Sequence, residues 1–306
     1  MYAIGIDIGG TKVAVGIVDA AGQLHSQTII PTDLERSPRE VIEEIIETVE
    51  QLIQQSHIPL EQLAGIGIGA PGPLDAKKGC ITCPPNLPRW IHVPIVEWFK
   101  ERFSFPVFLE NDANAAALAE KWVGSAKESE HFIYLTISTG IGAGLYLDGK
   151  LFTGARGNAG DIGHMVIDPS YGKCTCGQKG CLEWIASGTA IARRGSEIMG
   201  TPLSTKEVFQ LYQQGEPKIV PFIQEVFNAI GVGCVTLINL FDPEKIVIGG
   251  GVSEVGAPLF EAVQSYIHSY ALNPDGCKTQ VVPASLRQHA GVIGAAAVFF
   301  KKKGEK

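Results

Sequence analysis

The chain is short of basic residues. Lysine and arginine number 25 against 32 aspartates and glutamates in 306 residues, so the formal net charge is −7. Because nucleic acids are bound by basic surfaces, this balance argues against a general nucleic-acid binder. The only basic run, 301–303, is interpreted as a solvated terminus.

Long apolar runs are also missing. The run Ala229–Phe241 is shorter than the about 20 residues that cross a membrane, and Asn239 interrupts it. The first apolar segment contains Asp7, and no basic segment precedes it, which argues against a signal peptide. We therefore expect a cytoplasmic protein that makes no membrane contact.

Cysteine is scarce and unevenly placed. Of seven cysteines, Cys174, Cys176 and Cys181 fall within one glycine-rich loop that follows His164. Three thiolates and one imidazole are the donor set of a closed, tetrahedral zinc site of structural type. Such a site orders a loop that has little core of its own. The sequence therefore predicts structural zinc here, with free thiols or a disulfide plus a spare thiol as the alternatives.

Two segments share the pattern of strand, glycine loop, strand and turn. The first runs from Tyr2 to Gly22 and the second begins near Ile133. Glycine lets backbone amides approach a polyphosphate, although a tight hairpin without function is the alternative. The residues predicted to contact nucleotide phosphates are Gly9, Gly10, Thr11, Lys12, Thr139, Gly140 and Gly142. Asp7, at the end of the first strand, is predicted to hold Mg²⁺ through water.

Each half also contains a later strand that ends in glycines, and helical segments lie between the strands. This arrangement predicts an α/β protein with lobes at 1–114 and 115–289, the C-terminal helix 290–306 joining the first lobe. The triplet after the strand at 245–248 suits close approach of an adenosine, through Gly250 and Gly251. The segment 67–72 matches the dinucleotide fingerprint, but two prolines follow where a helix must begin, so we reject that interpretation.

A polar segment lies between the strand at 107–109 and the helix-forming run after Ala115. Glu110, Asn111, Asp112 and Asn114 exceed the single residue that a helix cap needs. A carboxylate and amides at this corner can bind a polyol, and Asp112 can accept a hydroxyl proton.

These features together resemble the ROK family of sugar kinases and repressors, over essentially the whole chain. The resemblance is carried by Asp7–Lys12, by Leu109–Asn114 and by the segment 163–183 with its three cysteines. It implies a two-lobed, actin-like and hexokinase-type fold (ribonuclease H-like) with the active site in the interlobe cleft. It also implies a homodimer that phosphorylates a hexose at the 6-hydroxyl, with ATP, Mg²⁺ and structural zinc in the loop 164–183.

The same resemblance implies residue roles. Asp112 would be the catalytic base, and His164 would contact both zinc and sugar. The sugar contacts it implies are Gly72, Asn86, Asn111, Asp112, Asp161, His164 and Glu183.

One position departs from the family pattern. Asp161 stands where the family usually has glutamate, so its hydrogen bond to the sugar is in doubt. Glucose is the expected acceptor, with N-acetylmannosamine or N-acetylglucosamine as the alternative. Polyphosphate stays open as a donor. A sugar-responsive repressor is disfavoured because Asp7 lies too near the N-terminus for a preceding DNA-binding domain.

Overall fold

The computed structural model describes residues 1–304, which form two compact units. Unit 1 contains residues 1–127, 151–159 and the segment that begins at Ser285, and unit 2 contains 128–150 and 160–284. The division falls at 127 and not at the expected 114, because the helix Asp112–Val123 packs against the helix Ala290–Gly304 within unit 1.

Strands and helices occur in mixed order along residues 1–304. The strands are β1 Tyr2–Ile8, β2 Lys12–Asp19, β3 Leu24–Pro31, β4 Leu63–Ala70, β5 Leu74–Asp75, β6 Cys80–Ile81, β7 Val107–Asn111, β8 Phe132–Ile137, β9 Ile141–Leu147, β10 Lys150–Leu151, β11 Lys245–Gly249 and β12 Gln280–Pro283. The helices are α1 Pro38–Ser56, α2 Ile95–Arg102, α3 Asp112–Val123, α4 Leu182–Ala186, α5 Gly188–Met199, α6 Thr205–Gln213, α7 Ile219–Phe241, α8 Ala257–Tyr270 and α9 Ala290–Gly304.

The two main sheets have the same design. Unit 1 has the strand order β3-β2-β1-β4-β7, and unit 2 has β10-β9-β8-β11-β12. In each sheet an antiparallel hairpin, β1–β2 or β8–β9, is extended on one side by two parallel strands. The internal similarity expected from the sequence is therefore confirmed at the level of topology. The carboxyl ends of the parallel strands carry loops, which is where α/β sheets bind their ligands.

Glycine in the unit 1 sheet makes room for a helix. A Cβ on Gly5 would overlap the carbonyl oxygen of Val292, and one on Gly67 would overlap that of Ala295. Helix α9 therefore lies directly on β1 and β4, closer than any larger residue would allow. This packing accounts for Gly67, whereas the nearest atoms to a Cβ on Gly69 or Gly72 belong to other segments. The strand β5, and not a helix, follows the segment 67–72, which agrees with the rejection of the dinucleotide fingerprint.

Helix α7 corrects one expectation. It begins at Ile219, ten residues before the apolar run considered in the sequence, and its 23 residues are long and apolar enough to cross a membrane by length and composition. Half of its most apolar window is buried, and its neighbours in unit 2 include α8 and α4. Packing within unit 2 therefore accounts for its apolar character.

Candidate active site

The hairpin tip between β1 and β2 is fixed by backbone and side-chain bonds. Gly9 N donates to Lys12 O at 2.9 Å, while the hydroxyl of Thr32 donates to Gly9 O at 2.7 Å. A Cβ on Gly10 would lie 2.9 Å from the carbonyl oxygen of Asn86. A predicted phosphate contact and a predicted sugar contact are therefore neighbours in unit 1. Thr11 and Lys12, beside them, are exposed, as a role in binding phosphate requires.

Asp7 ends β1 in a half-buried position. Its carboxylate packs against the first turn of α9, where a Cβ on Gly291 would overlap it. Burial and the neighbouring charge of Asp112 raise the pKa of Asp7 to about 7, against the opposing effect of Lys12. A carboxylate that ionises with difficulty near neutral pH is one that a bound cation would stabilise.

The polar corner between β7 and α3 brings three predicted sugar contacts together. Asn111 caps α3, since its Oδ1 accepts from Ala113 N at 3.0 Å and from Asn114 N at 3.2 Å. A Cβ on Gly72 would lie 3.3 Å from Asn111 Nδ2, so the peptide at Gly72 borders the amide. The cap uses only the oxygen of Asn111, which leaves its amino group as a donor for a ligand.

Asp112 is the first residue of α3 and is half-buried. Its Oδ1 accepts from Ala113 N at 2.8 Å, which fixes the carboxylate at the helix N-terminus. The positive end of the helix stabilises the ionised form there. The geometry suits a carboxylate that accepts a proton from a hydroxyl.

Glu110 and Lys302 hold the polar corner between β7 and α3 in place. The sequence did not predict that these two residues form a pair. Glu110 is 4% exposed and accepts from Asn111 N and from Asn114 Nδ2, both at 3.1 Å. Lys302 Nζ lies 3.5 Å from its other oxygen and donates to Leu109 O at 3.4 Å. The expectation that 301–303 is a solvated run is therefore wrong for Lys302. Asn114, 1% exposed, holds the corner and does not face a ligand.

In unit 2, the tip between β8 and β9 is held by the segment that contains α4 and the start of α5. Ile141 N donates to Glu183 Oε2 at 2.8 Å, and Gly188 N donates to Ser138 O at 2.7 Å. The Thr189 hydroxyl donates to Thr139 O at 2.8 Å. Glu183, a predicted sugar contact, is thus fastened to a predicted phosphate hairpin.

The predicted glycines of unit 2 differ in their surroundings. A Cβ on Gly140 would lie 2.5 Å from Glu183 Oε2, and Gly142 lies within β9 opposite Thr136. Gly250 has a φ of 87°, and its Cβ would overlap Ile137 O. Close packing accounts for Gly140 and Gly250, whereas Gly251 has open space before it.

That open space belongs to a cavity of about 1070 Å³ within unit 2. Its size suits a nucleotide-sized ligand. Among the residues that line it are Ser138, Thr139, Thr205, Lys206, Gly251 and Glu254. Thr139 and Gly251 were predicted, whereas the wall from α6 was not. Its only sequence signal is the capping box of Ser204 and Glu207, which marks a helix start and not a ligand.

The four predicted metal ligands lie together in unit 2. The donor atoms of His164, Cys174, Cys176 and Cys181 all lie within 4.8 Å of one another. The sulfurs of Cys176 and Cys181 are 3.6 Å apart, and Cys174 Sγ is 3.8 Å from His164 Nδ1. Sulfurs on one tetrahedral zinc ion lie about 3.8 Å apart, given Zn–S bonds of about 2.3 Å. The donor set and its spacing fit zinc, and the cysteines described are unbridged.

The chemical character of the thiols differs within the cluster. A hydrogen bond from the backbone amide of Gln178 lowers the pKa of Cys176, whereas burial raises the pKa of Cys181 to about 12. The loop turns at Gly180, whose φ is 74° and whose Cβ would overlap Asp168 O. A buried thiol such as that of Cys181 needs a neighbouring cation to ionise, and a bound metal ion would supply one.

Asp161 is placed differently from the other predicted sugar contacts of unit 2. Its side chain is exposed, and no hydrogen bond to another of residues 1–304 holds it. Glu183, in contrast, is half-buried and bound to Ile141 N. The position that departs from the family pattern is therefore also the least fixed.

Comparison with known proteins identifies the family. The ROK family matches residues 3–302. Glucokinase of Thermotoga maritima is 34% identical over 315 aligned residues, with 98% of each chain covered. The ROK hexokinase structure from Thermus thermophilus is 37% identical with a TM-score of 0.86 and full coverage of both chains.

A third likeness comes with ligands. The structure of a ROK family glucokinase from Streptomyces griseus, in complex with glucose and AMPPNP, is 30% identical with a TM-score of 0.81, covering 97% of this chain and 98% of that one. These likenesses extend over nearly the whole chain, including the segments that carry the Asp112 corner and the Cys₃His cluster. The chain therefore belongs to the ROK family and is a sugar kinase with the two-lobed, actin-like and hexokinase-type α/β fold.

Proposed function

We propose that the protein transfers the terminal phosphoryl group of ATP to the 6-hydroxyl of a hexose, with glucose as the preferred acceptor. Support comes from the glucokinase relatives, which match along nearly their whole length. The observation that carries the proposal is the position of Asp112, whose carboxylate is fixed at the start of α3 beside Asn111 and Gly72.

Asp112 acts as the general base in this proposal. Its carboxylate orients the sugar hydroxyl for in-line attack and accepts the hydroxyl proton as the new P–O bond forms. The amino group of Asn111 and the peptide at Gly72 bind neighbouring hydroxyls. Glu110 and Lys302 keep this corner rigid from below, without contacting the sugar.

Each unit has residues whose chemistry suits part of a nucleotide. In unit 1, Thr11 and Lys12 offer a hydroxyl and an ammonium group to the phosphates. In unit 2, the cavity beside Thr139 and Gly251 receives the nucleoside. Asp7 would hold Mg²⁺ through water, and a bound Mg²⁺ neutralises phosphate charge.

The Cys₃His cluster would hold zinc in this proposal, and bound zinc supplies order to the loop without entering the reaction. His164 directs Nδ1 to the sulfurs, so its other ring nitrogen is the one proposed to meet the sugar. Cytoplasmic location and a homodimer remain predictions of the sequence analysis.

The test is ADP release from Mg-ATP, measured with glucose, mannose, fructose, N-acetylglucosamine and N-acetylmannosamine in separate reactions. We expect strong stimulation by glucose over the sugar-free control. Stimulation mainly by an acetylated sugar would show that glucose is not the preferred acceptor. It would agree with an Asp161 side chain that no hydrogen bond holds in place. If none of the five sugars stimulates ADP release, the proposal is contradicted. Replacing ATP with polyphosphate tests the donor.

A further inference from the structure

The second hairpin is attached to the metal cluster through one short stretch of chain. The stretch 181–189, here named the clamp segment, begins at the metal ligand Cys181 and makes three hydrogen bonds to residues 138–141. Its first bond comes from Glu183, two residues after Cys181. The hairpin tip lines the cavity, whereas the cluster is formed by another loop.

The upstream end of the clamp segment is fixed by the loop that carries the metal ligands. Cys181 is fully buried and forms the N-cap residue of α4, and it forms an isolated bridge with Val166. Leu182 N donates to Met165 O at 2.9 Å, directly after His164. The backbone at Cys181 and Leu182, where α4 begins, is therefore tied to the loop that carries the cluster's ligands.

Trp184 ties the same helix to two other elements. Its indole N–H donates to Tyr171 O at 2.9 Å, within the metal loop. The guanidinium of Arg193, which lines the cavity, lies 3.4 Å from the Trp184 ring centre and donates to Trp184 O at 3.0 Å. Tyr171 in turn donates to Glu225 of α7 at 2.7 Å. Helix α4, only five residues long, therefore depends on its neighbours for its position.

We propose that Glu183 is a positioning residue for the nucleotide hairpin, in addition to its predicted contact with sugar, and that the clamp segment makes nucleotide affinity depend on the metal cluster. One carboxylate oxygen holds the Ile141 amide at 2.8 Å, and Gly140 lacks the Cβ that would displace it. The inference rests on the proposed function only in assigning the cavity to a nucleotide.

The test measures the dissociation constant for ADP by calorimetry, without sugar, in the wild type and in Glu183→Ala. Loss of a charge-assisted hydrogen bond predicts affinity weaker by about tenfold. Hydrogen exchange of the Ile141 amide, followed by mass spectrometry of peptides covering 138–144, should become faster in the variant. Glu261→Ala is the matched control, because it removes an exposed carboxylate of unit 2 that makes no bond to the hairpin.

Two further arms keep the outcome clear. Gly140→Ala leaves Glu183 in the chain but displaces its carboxylate, so it should weaken ADP binding even if Glu183→Ala folds poorly. Removal of the metal by a chelator should weaken ADP binding and speed exchange at 138–144 together. Unchanged ADP affinity in Gly140→Ala and in the metal-free protein would overturn the inference, whatever the exchange rates.

The outcomes also separate the inference from the proposed function. If the wild type binds ADP but no sugar stimulates ADP release, the proposed acceptor fails and the positioning role of Glu183 stands or falls on ADP affinity alone. If the wild type does not bind ADP, both the nucleotide assignment and this inference are wrong.

Discussion

The two sheets share one strand order but are built from different residues. In unit 1, β1 and β4 carry glycines at the points where α9 lies on them. The matching strands of unit 2, β8 and β11, are composed mainly of large apolar residues. The topology is therefore compatible with two kinds of packing, and Gly5 of β1 and Gly67 of β4 mark the approach of a helix and not of a ligand.

The hairpins differ in how they are fastened. The tip of unit 1 borders the backbone carbonyl of Asn86 and accepts a hydrogen bond from the hydroxyl of Thr32, whereas the tip of unit 2 is held by the carboxylate of Glu183. The first hairpin therefore does not use the side-chain amide of Asn86, and the second uses the carboxylate of Glu183. The same local pattern thus has different sensitivity to substitution in the two units.

The largest effect is expected at Asp112. A substitution there should stop the reaction in unit 1 and leave the metal site of unit 2 intact. Asp112→Asn keeps the bond to Ala113 N but removes the base, so kcat should fall by about 10²- to 10⁴-fold. The measurement is sugar-stimulated ADP release, with metal content and ADP affinity as controls. Turnover near that of the wild type would contradict the role of Asp112.

Asp7→Asn should change stability with pH. Asp7 in the folded protein has a pKa of about 7 against an ordinary value of 3.8, so the folded state retains a proton that the unfolded chain has released. Stability from this proton is lost as pH rises from about 4 to 7. Without Mg²⁺ or nucleotide, the variant should be more stable than the wild type at pH 8, by at most about 4 kcal/mol, and equal to it near pH 4.

Thermal unfolding at several pH values measures this difference. Asp19 provides a control of opposite sign, since its hydrogen bond with His25 lowers its pKa. Asp19→Asn should therefore be less stable than the wild type at pH values above the ordinary pKa of an aspartate. An Asp7→Asn variant that is less stable than the wild type at pH 8 would show that its carboxylate is stabilised in the folded state.

The packing of α9 predicts a smaller effect with a matched pair of glycines in one strand. Gly67→Ala forces a Cβ against Ala295 O and should cost about 1–3 kcal/mol of unfolding free energy. Gly69→Ala meets its nearest atom at 3.5 Å and should cost far less. Chemical denaturation of both variants measures the difference, and equal costs would contradict direct contact between α9 and β4.

The smallest effect is expected at Asn86. Asn86→Ala leaves the carbonyl that Gly10 meets, so hydrogen exchange at the first hairpin and ADP affinity should not change. The KM for sugar should rise if the amide binds a hydroxyl. Faster hydrogen exchange in residues 9–12 of the variant would show that the first hairpin depends on the side chain of Asn86, as the second is proposed to depend on that of Glu183. The expected difference between the two units would then be wrong.

The sequence predicted the parts of the site that are local in the chain. The hairpins and the Cys₃His spacing each lie within about 20 residues, and the structure brings the residues of each together. Another local pattern begins α1, where Ser37 and Glu40 form a capping box: Glu40 N donates to Ser37 Oγ and Ser37 N donates to Glu40 Oε2.

The contacts that sequence could not supply join distant segments. Nothing in a lysine that follows an apolar run indicates that it lies beside Glu110, about 190 residues earlier, because that pairing depends on how α9 packs. The hydrogen bond from Ile141 N to Glu183 also joins distant segments. The sequence around Glu183 does not indicate which backbone amide its carboxylate accepts from. Local pattern therefore identified which segments matter, and tertiary packing determined what supports them.

The place of α9 in unit 1 has a consequence for biosynthesis. This helix covers β1 and β4, yet the ribosome reaches it only after all of unit 2 has been made. During translation the glycine-rich face of the first sheet has no covering helix, while unit 2 already has its complete sequence. The nascent chain therefore acquires a finished second half before its first half can close, and a ribosome stalled before Ala290 holds a protein whose first sheet is open to chaperones and proteases.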